Sequence, residues 1–215
     1  MNFISDAILQ YAEKHTSPES QALQSCVRQT HLQTLQPRML SGHLQGRFLS
    51  MISHLMQPKR ILEIGMFTGY SAICLAEGLT ENGKLIAIEI NDEVIPIAKE
   101  SFKAADLENK INVIQGDALS IIPKLEETFD IVFIDAAKRD YLAYFEAVID
   151  KVRIGGLIIA DNILWSGKVL DAVYDTDTRI IDAFNKIMAT DARLETVLLP
   201  LRDGLLMMRK IGNKR

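Results

Sequence analysis

The chain has 215 residues, of which 48% are apolar and 24% charged, and its formal net charge is −4. That length carries one α/β domain with a substantial core. The acidic balance leaves no electrostatic footprint for nucleic acid, no apolar run approaches the roughly 20 residues that span a bilayer, and no basic-then-apolar leader is readable at the N-terminus.

Two cysteines, Cys26 and Cys74, form no paired motif. They fit a reducing, cytoplasmic compartment and serve as small apolar filler. Asn2 to His15 reads as a helix with Phe3, Ile4, Ala7, Ile8 and Tyr11 on one stripe. Ser17-Pro18-Glu19 opens a second helix towards Gln33, and Pro37 ends it. Ser41-Gly42-His43 starts a third, through Phe48, Met51, Ile52 and Leu55, closed by Pro58. Residues 1–57 are therefore expected as a helical cap on a 58–215 α/β core, the two forming one domain.

Strand and helix then alternate. Strands are expected at Arg60–Ile64, Lys84–Glu89, Ile111–Gln115, Phe129–Asp135 and Gly156–Asp161. Helices are expected at Tyr70–Leu79, Asp92–Ala105, a short stretch to Leu125, Arg139–Val152 and, after a loop from Asn162 to Thr176, Thr178–Ala189. Gly155-Gly156 reads as the turn into the fifth strand. Leu194–Leu199 and Leu205–Arg209 are joined too closely for a helical crossover, so they form an antiparallel hairpin. The result is a doubly wound sheet with right-handed crossovers.

Two apolar runs end on polar side chains: Phe129 to Asp135, with Lys138 three residues on, and Gly156 to Asp161-Asn162. Both read as buried parallel strands. If neighbours, they bring Asp135, Asp161 and Asn162 to the carboxyl edge of the sheet, where open α/β folds bind ligands. Two carboxylates and an amide oxygen are a hard donor set suited to Mg²⁺, Mn²⁺ or Ca²⁺.

The turn after the first strand is Glu63-x-Gly65-x-x-x-Gly69. A dinucleotide fingerprint has a glycine where Phe67 stands, and the Glu63 charge repels phosphate. That charge suits a cationic or amino-bearing ligand. Glu89, ending the second strand, is placed to hold a ribose through its hydroxyls. A ligand with a ribose and a positive charge but no phosphate is S-adenosylmethionine (SAM).

The stretches ILEIGMFTGYSAICLAEGL, LIAIEIND, INVIQGDAL, FDIVFIDAAKRDY, GGLIIADNILWSGKV and LPLRDGLLMMRK, spread between Arg38 and Lys210, resemble the cation-dependent SAM O-methyltransferases of the catechol and caffeoyl-CoA type. The resemblance implies a Rossmann-like, class I methyltransferase sheet of seven strands with a reversed last strand. It implies that Glu63, Gly65 and Ser71, with Tyr70 beside them, hold the methionine end of SAM. Glu89 would take the ribose, and Asp117 and Ala118 the adenine. Leu40 and Ser41 would line the cofactor from the cap side, and Asp135 would meet both cofactor and metal. Asp135, Asp161 and Asn162 would be the metal ligands and Lys138 the catalytic lysine. Ala136 and Ala137 follow the smaller pattern of the caffeoyl-CoA and bacterial branches, where the catechol branch has bulky aromatics. A homodimer is implied as well.

The reaction expected is methylation of one hydroxyl of a small aromatic vicinal diol. A phenol, with a pKa near 10, is a poor nucleophile at neutral pH. A bound divalent ion lowers that pKa and positions the oxygen. Lys138 is placed to accept the hydroxyl proton or to steady the oxyanion, and with Asp135 is the expected catalytic pair. Trp165 fits either a wall of the acceptor pocket or loop packing. Arg38 fits either a structural ion pair or contact with a ligand anion. Three alternatives stay open. Methylation of a hydroxylated tRNA base is disfavoured by the acidic balance. A nucleotide-binding dehydrogenase is disfavoured by Phe67. A binding module without catalysis is disfavoured by the complete set Asp135, Lys138, Asp161 and Asn162.

Overall fold

In the computed structural model, which describes residues 4–173 and 175–213, three helices precede the sheet: α1 (Asp6–Lys14), α2 (Gln21–Gln33) and α3 (His43–Met56). Asn2 and Phe3, expected in the first helix, lie outside the described residues. The apolar stripe of α1 is not buried, since Ile8 and Tyr11 are 61% and 66% exposed. Helix α2 begins at Gln21 rather than at Pro18. The Ser20 hydroxyl accepts the Leu23 N–H at 3.3 Å, so the N-cap sets the start. Pro37 begins a 3-10 turn, Pro37–Met39, that leads towards α3.

The strands are β1 (Arg60–Ile64), β2 (Lys84–Glu89), β3 (Ile111–Gln115), β4 (Phe129–Ile134), β5 (Val152–Asp161), β6 (Leu194–Leu199) and β7 (Leu205–Lys210). They form one seven-stranded sheet in the order β3-β2-β1-β4-β5-β7-β6. Pairs among β1 to β5 are parallel, and β7 runs antiparallel between β5 and β6. The expected doubly wound sheet with a reversed last strand is thus present. Strand order turns back between β1 and β4, which makes their carboxyl ends the crevice for a ligand.

Helices α4 (Tyr70–Ala76), α5 (Ile95–Ala104), α6 (Ala118–Ile121), α7 (Tyr141–Val148) and α8 (Thr176–Thr190) complete the layers. One apolar cluster joins α7 and α8 to one face of the sheet through Tyr141, Phe145 and Phe184. The other joins α2, α3, α4 and α5 to the opposite face through Leu23, Leu49, Leu75 and Phe102. The cap therefore completes a core layer. At Gly46, on α3, an added Cβ would come within 2.6 Å of the Tyr70 ring.

Several boundaries differ from those expected. Helix α4 ends at Ala76, not Leu79, and α5 starts at Ile95 with Pro96 in its first turn. The helix predicted over 139–152 divides into a 3-10 turn (Lys138–Asp140), α7 and a second 3-10 turn (Ile149–Lys151). Strand β5 starts at Val152, four residues before the predicted Gly156. Buried Val152 pairs with Phe129, and the register then shifts, so Gly155-Gly156 forms a bulge inside the strand. The loop after β5 contains a 3-10 segment, Trp165–Leu170, and α8 begins at Thr176 because Asp175 caps it.

Candidate active site

Ile134 pairs with Ala160 across β4 and β5, so Asp135 and Asp161 follow at adjacent strand ends. Lys138 folds back over them in the 3-10 turn. Its Nζ donates to Asp135 Oδ1 and to Asn162 Oδ1, each at 2.8 Å. Two oxygens from different strands thus converge on one positive charge. The same Nζ meets the Tyr141 hydroxyl at 2.6 Å, and that hydroxyl donates to the Asp161 carbonyl at 3.0 Å. Burial, with Asp135 and Asp161 nearby, pushes the Tyr141 pKa well above its usual range, so the hydroxyl stays protonated. Asn162 adopts φ 58, a left-handed conformation that asparagine tolerates.

Asp161 is fully buried. Its Oδ1 accepts the Asn162 N–H at 2.6 Å and its Oδ2 the Gln45 amide at 2.7 Å. Arg202 Nη1 stands 3.7 Å from Oδ2. Burial first, and then the neighbouring Asp135, push the Asp161 pKa up to about 6. The donor chemistry of Asp135, Asp161 and Asn162 fits a hard divalent cation. No cluster of three or more His, Cys, Asp or Glu suited to a metal occurs among the described residues; the third oxygen of this set belongs to an amide.

The β1 side is built differently. Glu63 is fully buried, with the Ser71 hydroxyl donating to one oxygen and no partner on the other. Burial pushes its pKa up to about 8, and the Asp135 and Glu89 charges add to the rise. Among the described residues, no cation compensates it. An orphaned acidic oxygen behind a glycine turn fits the amino or sulfonium end of SAM. Glu89, at the end of β2, accepts the Phe67 N–H at 2.7 Å and the Asn91 N–H at 2.9 Å. Those bonds fix its carboxylate and leave lone pairs for a ribose diol. Gly65 is obligatory here, because its φ is 87 and an added Cβ would lie 2.1 Å from the Asp135 carbonyl.

A cavity of about 1060 Å³ opens over these strand ends. Gly65, Glu89, Asp117, Ala118, Asp135, Lys138 and Asn162 line it, with Trp165 and Arg38 also on its wall. Glu63, Ser71 and Asp161 are buried and do not line it; Asp161 is joined to the lining through the Asn162 N–H. Ser41 is buried and Leu40 packs partly into the cap core, neither on the wall. The Tyr70 ring faces the cap instead. Its hydroxyl donates to Glu19 at 2.5 Å, and its ring packs over Gly46. Arg38 makes no ion pair among the described residues, and its carbonyl accepts from Arg202 at 2.8 Å.

An O-methyltransferase family model matches residues 13–211. This chain belongs to the O-methyltransferase family. A caffeoyl-CoA O-methyltransferase of Nicotiana tabacum is 39% identical over 181 residues, covering 78% of this chain and 76% of that one. An O-methyltransferase from Bacillus cereus in complex with SAH shares 30% identity at a TM-score of 0.87, over 95% of this chain and 97% of that one. TomG, an O-methyltransferase from Streptomyces achromogenes in complex with SAM, shares 28% at a TM-score of 0.87, over 96% of each. The activity is SAM-dependent O-methylation, which removes the dehydrogenase and the non-catalytic alternatives.

In this O-methyltransferase, three partners of the site were not readable in the sequence. Tyr141 stands three residues after Lys138, a spacing that puts both on one helical face, and was the most findable. Gln45 and Arg202 come from α3 and from the β6–β7 join. No local pattern links either of them to β5.

Proposed function

We propose that the enzyme transfers the SAM methyl group to one hydroxyl of a small aromatic vicinal diol, with a divalent cation held by Asp135, Asp161 and Asn162. The observation carrying this reading is the convergence of Asp135 Oδ1 and Asn162 Oδ1 on one positive charge, each 2.8 Å from Lys138 Nζ. Mg²⁺, Mn²⁺ or Ca²⁺ suits those donors. When bound, the ion supplies the charge that acidifies a phenol and orients it.

The chain's own residues do the rest. Glu63, Ser71 and Gly65 hold the methionine end of SAM, Glu89 its ribose, and Asp117 with Ala118 its adenine. Leu40 and Ser41 support the cofactor from the cap side. Lys138 stands 2.6 Å from Tyr141 and borders the cavity, where its ammonium steadies the oxyanion or, once it has given up a proton of its own, accepts the substrate's. Trp165 gives the acceptor ring an apolar wall. The names of the caffeoyl-CoA relatives favour an aromatic acceptor.

Buried, unpaired Cys26 and Cys74 suit a reducing cytoplasmic setting. Exposed Ile8, Tyr11, Leu32, Met51 and Leu55 give the cap an apolar surface that a second copy would cover, so the protein pairs as a homodimer. Sedimentation at micromolar concentration checks that assembly, and a monomer would sink it.

The deciding experiment measures methyl transfer from labelled SAM to a caffeoyl ester and to simple catechols, with Mg²⁺ and with chelator. Turnover is expected only with the metal. Equal turnover in chelator would refute the cation reading, and turnover on neither acceptor would refute the diol.

A further inference from the structure

Gln45 lies on α3 in the cap, yet its amide contacts the end of β5. The residue is 1% exposed, and Nε2 donates to Asp161 Oδ2 at 2.7 Å. Its own Oε1 is buried without a hydrogen-bond partner. A residue serving only to pack would be apolar here, because a buried unpaired amide oxygen is unfavourable. The amide therefore has work to do at Asp161.

A carboxylate turns freely about its last torsion unless its oxygens are held. Asp161 has one oxygen on the Asn162 N–H, next to it in sequence. The other is held by Gln45, with Arg202 more distant at 3.7 Å and a third exposed. Among the described residues, Gln45 makes the one side-chain hydrogen bond to that carboxylate.

We propose that Gln45 is a positioning residue, fixing the Asp161 carboxylate for the divalent cation and tying the cap to the cation site. This rests on the cation reading above. Outer partners that orient ligating carboxylates affect metal affinity about 10–100-fold.

The test uses Gln45→Met, which keeps length and volume and removes the amide. Mn²⁺ is titrated by calorimetry into wild type and variant, each saturated with SAH. SAH affinity and the unfolding temperature are measured separately in chelator. Mn²⁺ affinity is expected to fall about 10–100-fold while both chelator readings match wild type. Arg202→Met, which removes the weaker and partly exposed partner, should lower Mn²⁺ affinity less than about 5-fold. Wild-type Mn²⁺ affinity in Gln45→Met overturns the proposal. So does a parallel loss of Mn²⁺ affinity, SAH affinity and unfolding temperature, which would make Gln45 a packing residue. A wild-type protein that binds SAH but no Mn²⁺ fails earlier, at the cation reading itself.

Discussion

The two halves of the site treat their carboxylates in opposite ways. At the ends of β4 and β5, Asp135 is neutralised by the chain's own Lys138, and Asp161 is held by Gln45 and the Asn162 N–H. Behind the β1 turn, Glu63 has one hydroxyl partner, an orphaned oxygen and, among the described residues, no cation. A carboxylate left unpaired in the core is costly, so the β1 half is shaped for positive charge brought by a ligand. The β4–β5 half already gathers oxygens around a cation. In the proposed function, one half reads the charge of the cofactor and the other organises the acceptor chemistry.

The largest effects should break the β4–β5 half. Asp135→Ala and Asp161→Ala should each lower kcat/KM roughly 10³-fold or more and abolish the response to Mg²⁺, measured by methyl transfer with a metal titration. Lys138→Ala should lower turnover about 10²–10⁴-fold. SAH affinity by calorimetry should stay near wild type, and a large fall in it would make Lys138 structural.

The β1 half should answer through affinity and pH. Glu63→Gln should weaken SAM binding about 10–100-fold, the value of a charge-assisted contact. The folded Glu63 pKa of about 8 lies above the carboxylate's ordinary 4.5. Its contribution to stability is therefore full below pH 4.5 and is lost as pH rises to about 8. Unfolding of the ligand-free protein should show wild type weakening over that window, with a flatter profile in Glu63→Gln. Identical profiles would remove the contrast between the halves.

The smallest effect concerns the cap that both halves share. Gly46→Ala sets a Cβ against the Tyr70 ring and the Cys74 sulfur. It should cost about 1–3 kcal/mol of stability, read by denaturant unfolding, with the SAM affinity of the folded protein little changed.

Much of this was legible in the chain itself. Apolar runs ending at Ile64, Glu89, Asp135 and Asp161 set the strands, and a parallel sheet must deliver such ends to one edge. The short join before Leu205 required a reversed strand, because five residues cannot cross a sheet. Those features are local, fixed by periodicity, turn residues and chain length. Boundaries set by pairing or capping were not legible: Gly155-Gly156 looks like a turn and is a bulge, because Val152 finds Phe129 across the sheet.

Tertiary structure alone decided the partners. Sequence placed Glu63 near a cofactor, but only the packed fold leaves its second oxygen without a partner. Sequence put Tyr70 beside Ser71, and the cap turned its ring to Glu19. Gln45 reaches Asp161 across 116 positions. Contacts of that kind leave no periodic trace in a sequence, because they depend on where separate helices and strands come to rest against each other.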